Sequence, residues 1–384
     1  MEKLEYEIEF ITPAFIGGAE PNKYAELRPA SFVGLLRYWF RVIVGAYVQK
    51  PEELFKLESE LFGSQDRAGK VWVRIKGNVK KELSNCVRWE AWKDGGKDWG
   101  KVYMGYGNII YVNFRAHKNR EKYKNLLKKC REQEGNHIIR SGNFSVRPWL
   151  GGENNKPQAS LEVIVPEAIK ETIEALAFIV SQIGCIGSRS RRGWGSLCLI
   201  PKYKSPFKNW DVWDAEELKK AFKVVCGRIP ENLEFYRMDY RQSQPMKVLE
   251  EAGKLFRDFR QRMQPDYETV KSFISGDIKD EGGKVEIKRA YFGLPLRFRF
   301  SSLNGKEAEV NTDTGRFASP IRFKVIRAKN NLYSCLLIHI KNQSLPDQIT
   351  LSDGNNQIQV HKPSPDIVDE FIRRSAKFVR EDLS

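Results

Sequence analysis

A long apolar helix pattern leads directly into a segment rich in glycine and arginine, and then into a short strand. Pro166 opens the helix pattern, apolar residues recur at the helical period, and Gly184 marks its end. The strand pattern SLCLIP follows at 196–201. Between them lie the residues GCIGSRSRRGWG, 184–195, which we call the glycine–arginine loop. A helix that returns through so short a loop to a strand predicts a mixed helix and sheet fold.

The glycine–arginine loop allows two interpretations. Its glycines can adopt positive φ, so the loop can be a tight turn from helix to strand. A turn alone does not account for Arg189, Arg191 and Arg192, whose guanidinium groups are donors for anionic oxygens. Trp194 adds a flat apolar surface for stacking a base. The loop has no GxxxxGK[ST] and follows a helix instead of a strand, so neither a nucleoside triphosphate site nor a dinucleotide fingerprint is indicated.

The chain opens with a strand pattern followed by a helix pattern. Apolar residues alternate with glutamates from Leu4 to Phe10, which predicts a half-buried strand. A helix is predicted to begin at Ser31, with its hydroxyl near the first free amides. The apolar side of this helix is predicted to carry Phe32, Leu35, Leu36, Trp39 and Ile43. The opposite side carries Gly34, Arg37, Tyr38 and Arg41.

Further strand patterns lie at 70–76, 108–116 and 159–165. The first half therefore has the order strand, helix, strands, helix, strand, which is that of a ferredoxin-like split βαβ unit with insertions. The segments 77–107 and 117–158 match no motif.

The second half fits a second unit of the same class. Its helix patterns lie at 214–225, 246–262 and 364–379, and its strand patterns at 284–300, 319–328 and 331–341. The proline-bearing, polar segment 201–210 is the predicted boundary. We predict an α+β protein of two ferredoxin-like domains, 1–205 and 206–384.

The polar side of the first helix is a second candidate anion site. Ser31 and Gly34 are small enough for a nucleic-acid backbone to approach the helix start, and Arg37 and Arg41 follow. The alternative is an ordinary solvated helix face. In a ferredoxin-like unit this helix and the glycine–arginine loop can lie close together, which would merge the two basic features.

Charge favours a polyanionic partner. Lysine and arginine number 65 against 49 acidic residues, which leaves a net charge of +16. Nucleic acid is the favoured partner; acidic small substrates, anionic membranes and a merely dispersing basic surface are the alternatives. The sequence has no signal-peptide or transmembrane pattern, so we expect a cytoplasmic protein.

Neither metal chemistry nor acid–base catalysis is indicated. The six cysteines include no CxxC pair, which predicts reduced, mostly buried thiols and no zinc site. The histidines are isolated in sequence, and His339 alternates with apolar neighbours, as a core or sheet residue does. We expect no catalytic residue, metal or cofactor. Several aromatic residues near basic ones are candidate base platforms, although burial is the better interpretation of each: Tyr103, Tyr106, Phe144, Trp149 and Phe317.

Six short segments together carry a family resemblance. They are ITPAFIGG, ELRPASFVGLLRYWFR, LFGS, IGSRSRRGWGSL, FGLPL at 292–296 and RFASPIRF at 316–323. In combination they resemble the RAMP superfamily of CRISPR proteins, and more narrowly the family of first subunits of Cmr, or type III-B, effector complexes. The resemblance extends over essentially the whole chain.

The resemblance implies two RRM-related domains and a non-catalytic subunit at the end of a ribonucleoprotein filament, bound to guide RNA near its 3′ end. Other Cmr subunits and target RNA are the further implied partners. The implied RNA contacts are Arg28, Ser31, Gly34, Arg37, Arg41, Gly187, Ser188, Arg189, Ser190, Arg191, Arg192, Gly193, Trp194 and Gly195. Two alternatives stay open: a metal-independent endoribonuclease that processes repeat RNA, and a purely structural assembly subunit.

Overall fold

The computed structural model describes residues 1–21, 24–77, 80–82, 99–105, 149–151, 159–261, 263–278, 285–343 and 345–383. The predicted strand at 108–116 and most of the two unassigned segments lie outside these residues.

The first half forms a four-stranded antiparallel sheet with helices packed against it. Its elements are β1 (Glu2–Phe10), β2 (Tyr24–Glu26), α1 (Pro29–Val44), α2 (Pro51–Phe62), β3 (Trp72–Gly77), β4 (Lys80–Glu82), α3 (Trp99–Met104), β5 (Ala159–Val165), α4 (Glu167–Ile183) and β6 (Leu197–Pro201). The strand order is β3-β5-β1-β6, with β1 between β5 and β6. This is the order of a ferredoxin-like unit and confirms the predicted fold class.

The alternation along β1 correctly predicts which side chains are buried, except at Glu9. Leu4, Tyr6 and Ile8 are buried, as period two requires. Glu9 should face solvent, yet it is only 2 % exposed. Its carboxylate accepts a hydrogen bond from Arg327, 2.6 Å away, so the end of β1 is covered by the second half of the chain.

Helix α1 buries the predicted side, but its start is different. The helix begins at Pro29, two residues before the predicted Ser31, and no side chain caps it. Proline fits the first turn because that position has no intrahelical partner for an amide hydrogen. The prediction that Ser31 supplies the cap is therefore wrong.

The second half repeats the strand order of the first. Its elements are α5 (Ala215–Cys226), β7 (Leu233–Met238), α6 (Pro245–Gln261), α7 (Asp266–Ser275), β8 (Leu296–Phe300), β9 (Lys306–Thr312), β10 (Ile321–Arg327), β11 (Tyr333–Ile340), β12 (Ile349–Ser352), β13 (Gln357–Val360), α8 (Ile367–Ser375) and β14 (Phe378–Glu381). The second sheet has the order β10-β11-β7-β14. A third antiparallel sheet, β13-β12-β9-β8, is built from the connections on either side of the β10–β11 hairpin.

The pattern at 284–300 was expected to be one strand, and that prediction is wrong. The fully buried Asp266 accepts hydrogen bonds from the backbone amides of Lys288 (2.9 Å) and Arg289 (2.8 Å). These bonds fit the short 3-10 helix Lys288–Phe292, so only the end of the pattern forms a strand, β8.

Two apolar cores underlie the sheets, and each draws residues from both halves of the chain. Phe15, Trp194 and Cys198 belong to the core of the second sheet, whereas Leu336 and Ile338 belong to that of the first. Helix α5, beyond the predicted boundary at 205, packs against α4 of the first half. The boundary itself stays a prediction. No helix in the described ranges is long and apolar enough to cross a membrane.

Candidate nucleic-acid interface

The glycine–arginine loop is a tight turn that only glycine can make at several positions. Gly195 has φ +67°, and a Cβ there would lie 1.9 Å from the carbonyl oxygen of Ile186. Gly187 has φ +89°, and a Cβ there would lie 2.6 Å from the carbonyl oxygen of Phe15. Both values are too short for a real contact, so these glycines are required for packing. The turn interpretation is correct for the glycines and leaves the arginines to be explained.

A lysine from the second half holds both ends of this loop. Lys324 is 1 % exposed, and its amine donates to the carbonyl oxygens of Ser181 (2.6 Å), Gly184 (2.9 Å) and Leu197 (2.8 Å). Burial lowers the pKa of Lys324. The three carbonyls belong to the end of α4, the start of the loop and the start of β6, so one side chain fixes the separation of the loop's ends.

The backbone of β10 supports the middle of the loop. The amide of Phe323 donates to the carbonyl of Arg191 (3.0 Å), and the amide of Val325 donates to the Ser196 hydroxyl (3.0 Å). Together with Lys324, these bonds make β10 the template on which the arginines are held.

Arg192 packs over an aromatic ring of α6. Its Cζ lies 4.5 Å from the centre of the Phe256 ring. Burial is the main cause that lowers the pKa of Arg192, to about 9, and the nearby Arg260, Arg189 and Arg191 lower it further. A cation held among other cations in an apolar setting favours binding of an anion.

Arg191 joins the loop to α1. Burial and the charge of Arg322 lower the pKa of Arg191, while the nearby Tyr38 hydroxyl opposes them. The Arg322 guanidinium in turn stacks 4.6 Å from the Tyr38 ring centre and 5.3 Å from that of Trp39. The loop and the first helix are therefore neighbours, as the sequence predicted, and Tyr38 is where they meet.

The start of α1 is open to solvent. Arg28 and Gly34 are exposed, and Ser31 is half-buried. A Cβ at Gly34 would have nothing within 4 Å, so packing within the described chain does not require glycine in this helix. A helical glycine costs about 1 kcal/mol relative to alanine, and no packing contact of Gly34 in the described chain offsets that cost.

Arg37 and Arg41 are held by an acid of the neighbouring helix. Glu58 of α2 accepts from Arg37 at 2.6 Å and from Arg41 at 3.0 Å, and its side chain is 6 % exposed. Arg37 also donates to the carbonyl of Gly63 at 2.9 Å. Part of the positive charge predicted for the polar side of α1 is thus neutralised within the fold.

Trp194 cannot serve as a base platform, which corrects the prediction. It is fully buried and lies 5.0 Å, between ring centres, from Phe15. The neighbouring Gly193 is also buried. The remaining loop residues of the predicted set, Ser188, Arg189 and Ser190, lie at the surface or half-buried.

The other candidates divide between core, partial burial and positions outside the description. Trp149 and Phe317 are buried and Tyr103 is half-buried, whereas Tyr106 and Phe144 lie outside the described residues. The histidines His117 and His137, which are isolated in sequence, also lie outside them. His339 is buried in β11 beside Glu234. The described cysteines are free thiols, and three of the four are buried: Cys185, Cys198 and Cys335. Within the described ranges, no cluster of three His, Cys, Asp or Glu side chains is arranged to hold a metal.

Three contributors to this region have no local signal in the sequence. Lys324, Arg260 and Phe256 all come from the second half, and none stands in a segment whose local pattern connects it with the loop. Arg322 stands in the RFASPIRF segment, but its stacking on Tyr38 depends on the fold.

Comparison with known proteins supports the family resemblance. The RAMP superfamily model matches residues 7–198, from β1 to β6. Cmr subunit Cmr1-1 of Pyrococcus furiosus is 32 % identical over 330 residues, which covers 79 % of this chain and 84 % of the relative. Subunit Cmr1-2 of the same organism is 29 % identical over 199 residues, covering 50 % of this chain and 92 % of the relative.

Solved structures share the fold. The crystal structure of Cmr1 from Pyrococcus furiosus in its apo form aligns with a TM-score of 0.57 at 16 % identity, covering 99 % of this chain and 98 % of that one. A chain of the type III-B Cmr-beta complex bound to cognate target RNA, solved by cryo-EM, aligns with a TM-score of 0.50 at 15 % identity, covering 98 % and 99 %.

Proposed function

The chain belongs to the RAMP superfamily and is homologous to Cmr1 subunits, and on this premise we propose that it is a non-catalytic, RNA-binding subunit of a type III-B CRISPR effector complex. Its partners are the guide RNA, bound near the 3′ end, target RNA and other Cmr subunits. Its place of action is the cytoplasm.

One observation carries this proposal. Arg189, Arg191 and Arg192, which we call the arginine surface, belong to the loop that β10 and Lys324 hold by hydrogen bonds. Arg189 is exposed, and Arg191 and Arg192 are half-buried. Within the described part of the chain, neither Arg191 nor Arg192 forms an ion pair with a carboxylate, whereas Arg37 and Arg41 do. The guanidinium groups of Arg191 and Arg192, held in place without a carboxylate partner among the described residues, suit the phosphates of a nucleic-acid backbone.

The proposed contacts give affinity with little base specificity. Phosphate contacts position a nucleic acid but carry no sequence information directly. With Trp194 buried, the loop has no ring that reads or stacks a base. The guide would therefore be bound for its backbone, whatever its sequence.

The test compares the RNA affinity of a variant without the arginine surface with that of a variant that loses the same charge elsewhere. In the test variant Arg189, Arg191 and Arg192 become alanine; in the control the exposed, ion-paired arginines Arg297, Arg299 and Arg374 do so. We expect the test variant to bind guide RNA more weakly at fixed salt, with the slope of log affinity against log salt smaller by about one for each lost contact.

Equal affinity of the test variant and the wild type, or equal losses in the two triple variants, would contradict the proposal. The same preparations, incubated with labelled repeat RNA in EDTA, should leave it intact. Cleavage would instead favour the endoribonuclease alternative.

A further inference from the structure

Two arginines from different halves of the chain share one buried ring. Phe256 of α6 is fully buried, and the Cζ atoms of Arg192 and Arg260 lie 4.5 Å and 5.5 Å from its ring centre. Arg260 also donates from Nη1 to the Tyr103 hydroxyl at 2.6 Å. Two like charges are thus held close together in partly apolar surroundings.

Each guanidinium is only partly satisfied by the described part of the chain. Nη1 of Arg192 and Nε of Arg260 are shielded from solvent and have no hydrogen-bond partner there. Among the described residues, no carboxylate forms an ion pair with either side chain. Unpaired buried donors and adjacent like charges both oppose folding. An anion beside the two guanidinium groups would relieve the repulsion between their charges.

Three other partly buried arginines have carboxylate partners. Arg289 pairs with Asp266 at 3.3 Å, Arg237 with Glu381 at 2.5 Å, and Arg327 with Glu9 at 2.6 Å. The lack of a carboxylate beside Arg192 and Arg260 is therefore a local property and not the rule in this protein.

Helix α3 is anchored so that Tyr103 faces Arg260. Both oxygens of the Glu250 carboxylate accept from the first amides of α3, at Gly100 (2.8 Å) and Lys101 (2.7 Å). A Cβ at Gly253 would lie 2.2 Å from the carbonyl oxygen of Gly100, so the two helices approach as closely as glycine permits. A segment that matches no sequence motif thus supplies a positioned side chain.

We infer that Arg192 and Arg260, with Tyr103 beside them, form a binding site for one phosphodiester of a single-stranded RNA. We call this the two-arginine site. The inference rests on the proposed function and extends it, because it adds α6 and α3 to an RNA surface that the sequence confined to α1 and the glycine–arginine loop.

RNA is favoured over an acidic protein segment because the arginine surface adjoins the site. Arg192 belongs to both groups and adjoins Arg189 and Arg191 in the loop, so the two-arginine site continues the arginine surface. Several neighbouring guanidinium groups suit the repeated phosphates of one strand.

The test compares two arginines of the same helix. Arg260→Gln removes one charge from the site, and the matched control Arg257→Gln removes one that is bonded to Asp258 at 2.6–2.8 Å. We expect Arg260→Gln to bind single-stranded RNA several-fold more weakly and to reduce the salt slope by about one, and Arg257→Gln to match the wild type. Arg260→Lys, which keeps the charge, should retain most of the slope and exclude misfolding as the cause.

A second readout follows the site itself. RNA should slow amide hydrogen exchange in the peptide containing 99–105 in the wild type, and less so in Arg260→Gln.

Three outcomes would overturn the inference. One is unchanged RNA binding by Arg260→Gln when the Arg189, Arg191 and Arg192 triple variant is weakened, which leaves the proposed function standing. Another is RNA binding that is weakened as much by Arg257→Gln as by Arg260→Gln, because the loss would then reflect only long-range charge. The third is an Arg260→Gln variant that keeps its RNA affinity but assembles more weakly with other Cmr subunits, which would show that the site binds a protein. If the triple variant also binds normally, the proposed function fails as well.

Discussion

A single carboxylate, Glu58, decides how much of the basic side of α1 is available to a partner. The spacing of Arg37 and Arg41 places them on one side of a helix, and that much is visible in the sequence. The acid comes from α2 and is almost completely buried, so it neutralises part of the charge from within the fold. Local spacing predicts which residues share a face but not which of them are already paired.

A buried histidine makes stability depend on pH near neutrality. His339 is 5 % exposed, with Nδ1 3.2 Å from a Glu234 oxygen and Nε2 3.5 Å from the Tyr291 hydroxyl. Burial lowers the pKa of His339, and Glu234 offsets this only in part. The unfolded chain binds the proton near pH 6.5, at a higher pH than the folded protein. The free energy of unfolding should therefore be greatest above about pH 6.5 and decline as pH falls below it.

The measurement is denaturant unfolding from pH 8 to 5 for the wild type and His339→Gln, which cannot titrate. A decline in the wild type that is absent in the variant is the expected result, and parallel curves would contradict it. Glu234 acts in a separate window: although burial raises its pKa, the hydrogen bond from His339 and the charge of Lys341 leave it lowered. The contribution of Glu234 to the free energy of unfolding is lost only at more acidic pH, so the pH range of the decline distinguishes Glu234 from His339.

At the scale of elements, β10 determines the conformation of the glycine–arginine loop. Lys324 donates to three carbonyls around the ends of the loop, and it is 140 residues from Gly184 in sequence. Replacing it with methionine keeps the apolar stem but leaves these carbonyls without a donor. Each unsatisfied buried group costs about 1–3 kcal/mol, so Lys324→Met should lower the free energy of unfolding by at least about 3 kcal/mol.

The control is Lys341→Met, which removes a half-exposed lysine from the end of the adjacent strand and should cost at most about 0.5 kcal/mol. Chemical denaturation measures both. In the folded protein, amides 185–196 should also exchange faster in Lys324→Met than in the control. Unchanged exchange there would mean that Lys324 does not hold the loop.

The elements show which parts of the fold local sequence can specify. The strand pattern at 159–165 matches β5, and the helix pattern at 246–262 differs from α6 by one residue at each end. Periodicity works there because each element has a side that faces a core. The pattern at 284–300 failed because Asp266, distant in sequence, binds the amides of Lys288 and Arg289, and periodicity contains no record of such a partner.

The same limit explains the outcome for the candidate site. The arginines of the loop and their nearness to α1 follow from motif and topology. The burial of Trp194 does not, because the core that covers it comes from the second half of the chain. Arg260 has no local signal, and Tyr103 has only that of an aromatic residue near basic ones, because both join the loop only through the packing of α6 and α3.

At the scale of the whole molecule, the two ferredoxin-like units are joined through buried polar contacts as well as shared cores. Arg327 of β10 donates to Glu9 of β1 at 2.6 Å and to Asp211 at 2.8 Å. Lys324, on the same strand, holds the loop of the first unit. The second unit is therefore part of what gives the arginine surface its geometry, and the first unit should not keep that geometry when separated from it.

This linkage predicts that the protein unfolds as one body. Calorimetry of the wild type should show a single transition whose calorimetric and van't Hoff enthalpies agree, because neither core is complete without the other half. Arg327→Met leaves Glu9 as a nearly buried carboxylate without its partner, which should cost about 3–5 kcal/mol and lower the transition temperature. Adding Glu9→Gln removes the stranded charge and should restore part of the loss. Two separate transitions in the wild type would show instead that the units fold independently, and the arginine surface would then need no support from the second unit.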